Sequence, residues 1–194
     1  MSFSYNVKSE LSHHFGNARH CSIAELAAIL NMCGHIADNH SKFCVKIQTE
    51  NPVAARKYFT LLKKTFNIDS EVLIRRNSQL KKNRIYMLFI NNDEEARRVL
   101  NACGLLYTEN GVEKTARRID RTVVSSVCCK RAYIRGAFLA SGSISDPEKM
   151  YHLEFACLDE PYSESLRDLI NSFGLDSPFA ISASLFSHSA VSCA

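Results

Sequence analysis

The stretch RAYIRGAFLASGSIS at residues 131–145 decides the fold of this chain. It reads as a short apolar helix whose small residues leave room for a second helix backbone, and Gly142 ends it. A fainter copy, ELAAILNMCGHI, occupies residues 25–36 and stops in the same way at Gly34. The two stretches are therefore predicted to form one closely packed pair of helices.

One sequence offset relates the two copies. Three pairs of landmarks are each separated by 108 residues, namely Gly34 and Gly142, Phe43 and Tyr151, and Asn51 and Asp159. After each glycine the chain continues in the same order, with a linker, an alternating strand and a helix. This regularity predicts an internal duplication whose period is much longer than that of a solenoid repeat.

The element pattern predicts an α+β protein built from two pseudo-symmetric half-domains. The first half reads as helix, strand, helix, strand, strand and helix, with its last two strands at residues 70–76 and 84–90 and a further strand possible near residues 38–42. A capping box of Ser22 and Glu25 is expected to open its first helix, and a turn is expected after this half at residues 109–111. The second half repeats the helix, strand and helix, and its pattern fails after Leu175. We therefore expect an incomplete second half, with the two halves meeting at the paired core helices.

The pattern divides the chain into five segments. They are an N-terminal helix at 1–20, a first half at 21–104, a basic linker at 105–128, a second half at 129–176 and an unrelated tail at 177–194. The tail is rich in serine, carries no charged residue and shows no helical or strand period. A truncated or shifted reading frame near its start is the explanation we favour.

Composition limits the class of protein. With 194 residues, of which 46% are hydrophobic, the chain can bury one sizeable core. No apolar run approaches the ~20 residues of a membrane span, and the N-terminus lacks the layout of a signal peptide. We therefore expect a cytoplasmic protein with no membrane partner. Its 8 cysteines lie largely within apolar helices and strands, so free thiols are expected rather than disulfides.

The net charge of +4 is unevenly distributed. Cations dominate between residues 62 and 84 and between residues 114 and 135, whereas acids dominate after residue 142. Such asymmetry favours a polyanionic partner for the two basic regions. An ordinary solvated surface is the alternative.

A basic strand-loop-strand unit is the candidate nucleic-acid site. With one lysine from the polar face of a neighbouring strand, its expected DNA-binding residues are Lys46, Arg75, Arg76, Lys81, Lys82 and Arg84. Such cations contact phosphates and give salt-dependent affinity without sequence choice. Glu154 takes the place of Lys46 in the second copy, so we expect double-stranded DNA to be held weakly. A sheet edge protected by charge is the alternative.

Histidines and cysteines show no recognised metal-binding pattern. The pairs His13–His14 and His20–Cys21 could supply ligands, but their spacings match no usual zinc arrangement. Surface histidines are the favoured interpretation. We expect no metal, no cofactor and no small-molecule substrate.

The two core helices resemble the LAGLIDADG motif of homing endonucleases, in which paired helices join two half-domains whose sheets saddle a DNA duplex. In active members the residue before the final glycine is acidic, because two carboxylates hold the catalytic divalent metals. Here those positions are Cys33 and Ser141. The resemblance therefore implies the fold but no catalytic residues. A nuclease with a shifted metal site is the alternative.

Three stretches carry a closer resemblance, to the bacterial WhiA family. They are SFSYNVKSEL at 2–11, LKKNRIYMLFI at 80–90 and CCKRAYIRGAFLASGSISDPEKMYHLEF at 128–155. The resemblance implies a non-catalytic DNA-binding transcription regulator, nucleoid-associated and acting in cell division, chromosome segregation or sporulation. Family members add a C-terminal helix-turn-helix domain, and we expect it to be missing here. A protein-interaction module without DNA contact, with another protein in the saddle, is a further alternative. A protein partner is left open for the DNA-binding regulator.

Overall fold

The computed structural model describes residues 2–39, 42–76, 84–146, 148 and 152–174, and the backbone of residues 180–183. The fold is α+β, as predicted. Its helices are α1 (Phe3–His13), α2 (Arg19–Cys33), α3 (Pro52–Phe66), α4 (Asp93–Ala102), α5 (Val127–Ser141) and α6 (Glu160–Asn171). Its strands are β1 (Gly34–Asn39), β2 (Lys42–Thr49), β3 (Glu71–Arg76), β4 (Arg84–Ile90), β5 (Leu106–Glu109), β6 (Val112–Thr115), β7 (Gly142–Ile144), β8 (Leu153–Cys157) and β9 (Ala180–Ala183).

The core helices α2 and α5 pack against each other at the centre of the molecule. Each is 15 residues long, and their first and last residues are related by the predicted offset. They cross at Gly136, where an added Cβ would lie 2.3 Å from the carbonyl oxygen of Glu25 and 3.1 Å from the Cβ of Ala28. Ala28 and Gly136 are equivalent positions of the duplication, so the crossing lies on the pseudo-two-fold axis. The predicted helix pair is confirmed.

The first half builds a four-stranded antiparallel sheet in the order β1-β2-β4-β3. Alternate residues such as Val45, Ile47 and Leu88 join the hydrophobic core with the helices, because successive strand residues point to opposite faces. The helix α3 begins where Asn51 accepts two backbone N–H donors, with Pro52 at its first position. It ends at Phe66, after which Asn67 adopts the left-handed conformation.

The second half repeats this plan with fewer strands. Gly142 pairs with Phe155 as Gly34 pairs with Ile47, so the register of the first hairpin follows the same offset. The strand β9 then pairs with β8 in parallel. In the first half β3 also runs parallel to β2, but β4 separates them. Thus β9 corresponds to β3 in its direction and in its approximate position along the repeat. Among the described residues it pairs directly with β8, with no strand between them.

Two local predictions are wrong. The first half contains an additional strand, β1, which follows α2 without any turn and pairs with β2. The sequence pattern suggested only a possible strand near residues 38–42. The capping box is also wrong, because α2 begins earlier, after Ala18, and Ser22 lies inside the helix. The side chain of Glu25 is instead fully buried.

The segment predicted as a basic linker contains a hairpin of its own. The strands β5 and β6 pair across a turn in which Asn110 and Gly111 both have positive φ, the signature of a two-residue hairpin turn. The predicted turn is therefore present, and the strands flanking it were missed. None of the helices in the described part of the chain is both long and apolar enough to span a bilayer.

Candidate functional site

The C-terminal ends of the two core helices occupy the position that would hold catalytic metals in an active nuclease. Cys33 and Ser141 are the last residues of α2 and α5, directly before the paired glycines. Burial raises the pKa of the Cys33 thiol to about 12, so the sulfur stays protonated. The Ser141 hydroxyl is buried and has no hydrogen-bond partner among the described residues. Neither group is a ligand that magnesium prefers.

A fixed cation lies at the end of α2. The guanidinium of Arg117 donates one hydrogen bond of 2.6 Å to the carbonyl oxygen of Asn31 and one of 3.1 Å to that of Gly34. These carbonyls belong to the negative end of the helix dipole, which favours a positive charge. Burial lowers the pKa of Arg117, but an arginine begins from so high a value that it remains charged.

A second cation, Lys8 of α1, acts on the same end of α2. The charges of Lys8 and Arg117 both oppose the rise in the pKa of Cys33, which places both cations within electrostatic reach of that thiol. The Lys8 ammonium also lies 5.8 Å from the ring centroid of Phe138 on α5. Two side-chain cations of the protein therefore act on the C-terminal end of α2, beside Cys33.

The two core helices are also joined by a buried ion triad that sequence reasoning missed. Arg135 of α5 donates two hydrogen bonds to the Glu25 carboxylate, of 3.0 and 2.9 Å. The ammonium of Lys57 on α3 lies 2.6 Å from the same carboxylate. It also donates to the backbone carbonyls of Leu11 and His14. Four helical segments are thereby tied to one carboxylate.

Tyr133 is the equivalent of Glu25 in the second half and carries a different polar network. Its hydroxyl accepts a hydrogen bond of 3.0 Å from the Asn31 amide and lies 2.9 Å from the Tyr162 hydroxyl. Burial raises the pKa of both tyrosines, so both hydroxyls stay neutral. The two halves thus share a backbone plan, whereas the chemistry buried at equivalent positions has diverged.

The predicted DNA-binding arginines lie at the outer end of the first-half sheet. Arg75, Arg76 and Arg84 are all exposed. Arg76 and Arg84 are direct cross-strand partners and so point to one face, whereas Arg75 points to the other. The strand pair therefore presents cations on both faces of its outer end. Lys81 and Lys82 lie outside the described residues.

Lys46 does not have the exposed position expected of it. It lies in β2, an inner strand, and only 7% of its surface is exposed. Lys46 and Arg75 point to the same face of the sheet, but they are not neighbours across it. Lys46 pairs with Phe89 of β4, whereas Arg75 pairs with Ile85 of the same strand. Those two β4 positions are four residues apart, about 13 Å along the strand. The expectation of an exposed polar face here is wrong, and Lys46 does not form one continuous patch with Arg75, Arg76 and Arg84.

One group of side chains in the described part of the chain could hold a metal ion. It consists of His20, Cys21, Cys128 and Cys129, at the opposite end of the core helices from Cys33 and Ser141. Sequence reasoning rejected the first two as ligands because it judged spacing within one stretch.

Two family models match the chain. The model described as WhiA N-terminal LAGLIDADG-like domain matches residues 19–106. The model described as WhiA LAGLIDADG-like domain matches residues 130–182, so the similarity reaches into the segment predicted as a tail.

Curated relatives are named "Probable cell division protein WhiA". The protein of Lachnoclostridium phytofermentans is 44% identical over 183 residues, which cover 93% of this chain and 58% of that protein. The protein of Alkaliphilus metalliredigens is 46% identical over 177 residues, which cover 91% of this chain and 56% of that protein. The chain thus spans little more than half the length of these relatives.

Solved structures share the fold. The full-length DUF199/WhiA of Thermatoga maritima superposes with a TM-score of 0.65 at 20% identity, covering 89% of this chain and 51% of that chain. The separate N-terminal LAGLIDADG domain of DUF199/WhiA gives a TM-score of 0.64 at 21% identity, covering 89% of this chain and 74% of that chain.

Proposed function

The chain belongs to the WhiA family, and from this premise we propose that it is a non-catalytic regulator that contacts double-stranded DNA and acts in cell division. Its relatives carry the name of a cell division protein. We place its action in the cytoplasm at the nucleoid, and a role in transcription regulation, chromosome segregation or sporulation belongs to the same proposal.

The proposal that the chain is not a catalyst rests on the residues at the C-terminal ends of α2 and α5. Two-metal nucleases need carboxylates to gather divalent cations around the reacting phosphate. Here the equivalent residues are a neutral thiol and a hydroxyl, and Arg117 binds the carbonyls beside them. A divalent cation beside Cys33 and Ser141 would face repulsion from Arg117 and Lys8, and neither of those two residues offers it a carboxylate. These features support a protein that binds DNA without cutting it.

The exposed arginines of β3 and β4 support the DNA contact. Their side chains are exposed, and no ion pair with another described residue accounts for them. Phosphate binding needs only such accessible cations. Because Lys46 is buried, the proposed contact is narrower than the sequence suggested. It runs through Arg75, Arg76 and Arg84, and Lys81 and Lys82, which follow β3 in the sequence, belong to the same proposal.

A charge-matched pair of variants tests this contact. We expect Arg75→Glu/Arg84→Glu to weaken binding of a labelled duplex about tenfold at low salt, and to reduce the salt slope by about 0.9 for each phosphate that is no longer neutralised. Fluorescence anisotropy across a salt series measures both quantities. The control Arg56→Glu/Arg167→Glu makes the same charge change at exposed helix positions and should leave the salt slope unchanged. Equal effects of the two double variants would reject the assignment.

A second candidate function, binding of a protein, is favoured by the edge of the same sheet. Val72, Leu73 and Ile74 are 47%, 42% and 55% exposed, and within the described residues their strand pairs only with β4. An exposed apolar edge can add a strand from a partner. The salt series separates the two functions, because a protein bound through this edge would be retained at salt concentrations that release DNA.

A further inference from the structure

Four potential metal ligands converge where the two core helices begin. His20 and Cys21 lie in the first turn of α2, and Cys128 and Cys129 lie in the first turn of α5. Their ligand atoms are all within 4.8 Å of one another. The Nδ1 atom of His20 is 3.0 Å from the Sγ of Cys129 and 3.5 Å from the Sγ of Cys21. The group thus unites two dipeptides that lie more than a hundred residues apart in the chain.

The pseudo-two-fold axis explains why they meet. His20 is equivalent to Cys128 and Cys21 to Cys129 under the same offset that relates the glycines. Since α2 and α5 cross on this axis at Ala28 and Gly136, their first turns are brought together by symmetry. Each half contributes one buried cysteine, Cys21 or Cys129, and one exposed ligand.

The ligand set and its dimensions fit tetrahedral zinc. Three thiolates and one imidazole are a common structural zinc set, with Zn–S near 2.3 Å and Zn–N near 2.0 Å. A tetrahedron with those bond lengths has ligand-to-ligand edges of about 3.5–3.8 Å. The separations of 3.0 and 3.5 Å and the overall limit of 4.8 Å need only small side-chain adjustments to reach it.

The starts of the two core helices favour negatively charged ligands, and a cavity beside them lets an ion enter. Burial raises the pKa of the Cys21 thiol to about 11, a cost that coordination to a cation offsets. Neither α2 nor α5 has a side-chain cap on its first amides, so two positive helix ends face the cluster. The Ser126 hydroxyl, which could have capped α5, lies 3.1 Å from the Sγ of Cys128. A cavity of about 540 Å³ opens beside His20, Cys128 and Cys129. The site is therefore reachable from solvent while two of its sulfurs are buried.

We propose that His20, Cys21, Cys128 and Cys129 bind one zinc ion that clamps the two half-domains together at the start of their core helices. Four protein ligands leave no open coordination position, so the ion is structural and takes no part in chemistry. Its binding displaces the three thiol protons. A disulfide is the competing arrangement, but it would join only two sulfurs and leave the third sulfur and the imidazole unused.

Zinc content and cobalt spectra of the full chain test the proposal. We expect about one zinc per chain after purification under reducing conditions and dialysis, measured by elemental analysis, and near-complete loss in Cys21→Ser/Cys129→Ser. The control Cys33→Ser removes a cysteine from the other end of α2 and should keep its zinc. Circular dichroism of each variant checks that the fold persists.

A ligand exchange gives a second readout that does not depend on losing the site. The variant His20→Cys should still bind cobalt tetrahedrally, with the thiolate-to-cobalt charge-transfer absorption raised by about a third because four thiolates replace three. Wild-type protein without zinc or a cobalt spectrum would overturn the proposal. So would zinc retained in Cys21→Ser/Cys129→Ser, or a titration of unfolded wild type showing two thiols fewer than the sequence contains.

Discussion

Glu25 shows at the scale of one residue how the two halves are held together. Its side chain is fully buried, yet it contacts Arg135 from the other half and Lys57 from α3. Desolvating three charges costs several kcal/mol per ion, and their attraction offsets that cost only while the set is complete. Lys57 also satisfies the last carbonyls of α1, so loss of the carboxylate would loosen four segments at once.

We predict that Glu25→Ala lowers the free energy of unfolding by about 3–5 kcal/mol, because it leaves the buried Lys57 and the partly buried Arg135 without their counter-charge. Urea unfolding followed by circular dichroism measures the change. The control Glu164→Ala removes an exposed acid from α6 and should change stability by less than about 0.5 kcal/mol. If both variants unfold at the same urea concentration, the triad does not stabilise the core.

Residue roles were harder to predict from the sequence than residue positions. Glu25 lies three places after Ser22, so a local rule predicted that it caps the helix. Its place within residues 24–32 of α2, all of which are buried, shows otherwise. The four ligands of the proposed zinc site were also missed, although the offset of 108 relates the two dipeptides. Applying the duplication to His20–Cys21 would have found Cys128–Cys129. A rule based on spacing along one stretch could not.

At the scale of the element, the crossing of α2 and α5 depends on one missing Cβ. In an isolated helix, alanine is about 1 kcal/mol more favourable than glycine. At Gly136 the added Cβ would lie 2.3 Å from a backbone oxygen that cannot rotate away. Over-packing of this kind costs typically about 1–3 kcal/mol, so the clash should outweigh the gain in helix propensity.

We therefore predict that Gly136→Ala destabilises the chain by about 1–2 kcal/mol, measured by urea unfolding. Adding Ala28→Gly should not restore stability, because the nearest atom is the carbonyl oxygen of Glu25 and not the Ala28 side chain. A stabilised Gly136→Ala variant, or full rescue by Ala28→Gly, would show that the helices do not cross as closely as described.

Most elements could be predicted from periodicity and capping, and the exceptions have physical causes. The strand β4 agrees with its predicted bounds, and α3 and α4 begin at the Asn caps that the sequence displays. The strand β1 was missed because it leaves α2 at Gly34 with extended backbone and no turn residue between them. Apolar and polar residues alternate clearly in β2, which predicts one buried and one exposed face. Both faces of this strand are covered, so the alternation did not predict the burial of Lys46.

At the scale of the whole molecule, the two halves share one backbone arrangement but bury different polar side chains. The offset predicted from three landmarks recurs in the helix bounds, the strand register and the crossing point. The side chains placed there by symmetry have diverged, with an ion triad in one half and a tyrosine pair in the other. At the C-terminal end of α2, Arg117 binds the last carbonyls of the helix, and Lys8 acts electrostatically on the Cys33 thiol.

Incubating supercoiled plasmid with the purified chain in magnesium or manganese tests most directly whether this scaffold binds DNA without cutting it. We predict that the plasmid stays supercoiled at chain concentrations that retard it in a gel, because no carboxylate pair gathers the metal. The variant Cys33→Ala/Ser141→Ala, assayed in parallel, distinguishes the chain from a contaminating nuclease. Metal-dependent nicking by the wild type that disappears in this variant would contradict the non-catalytic assignment.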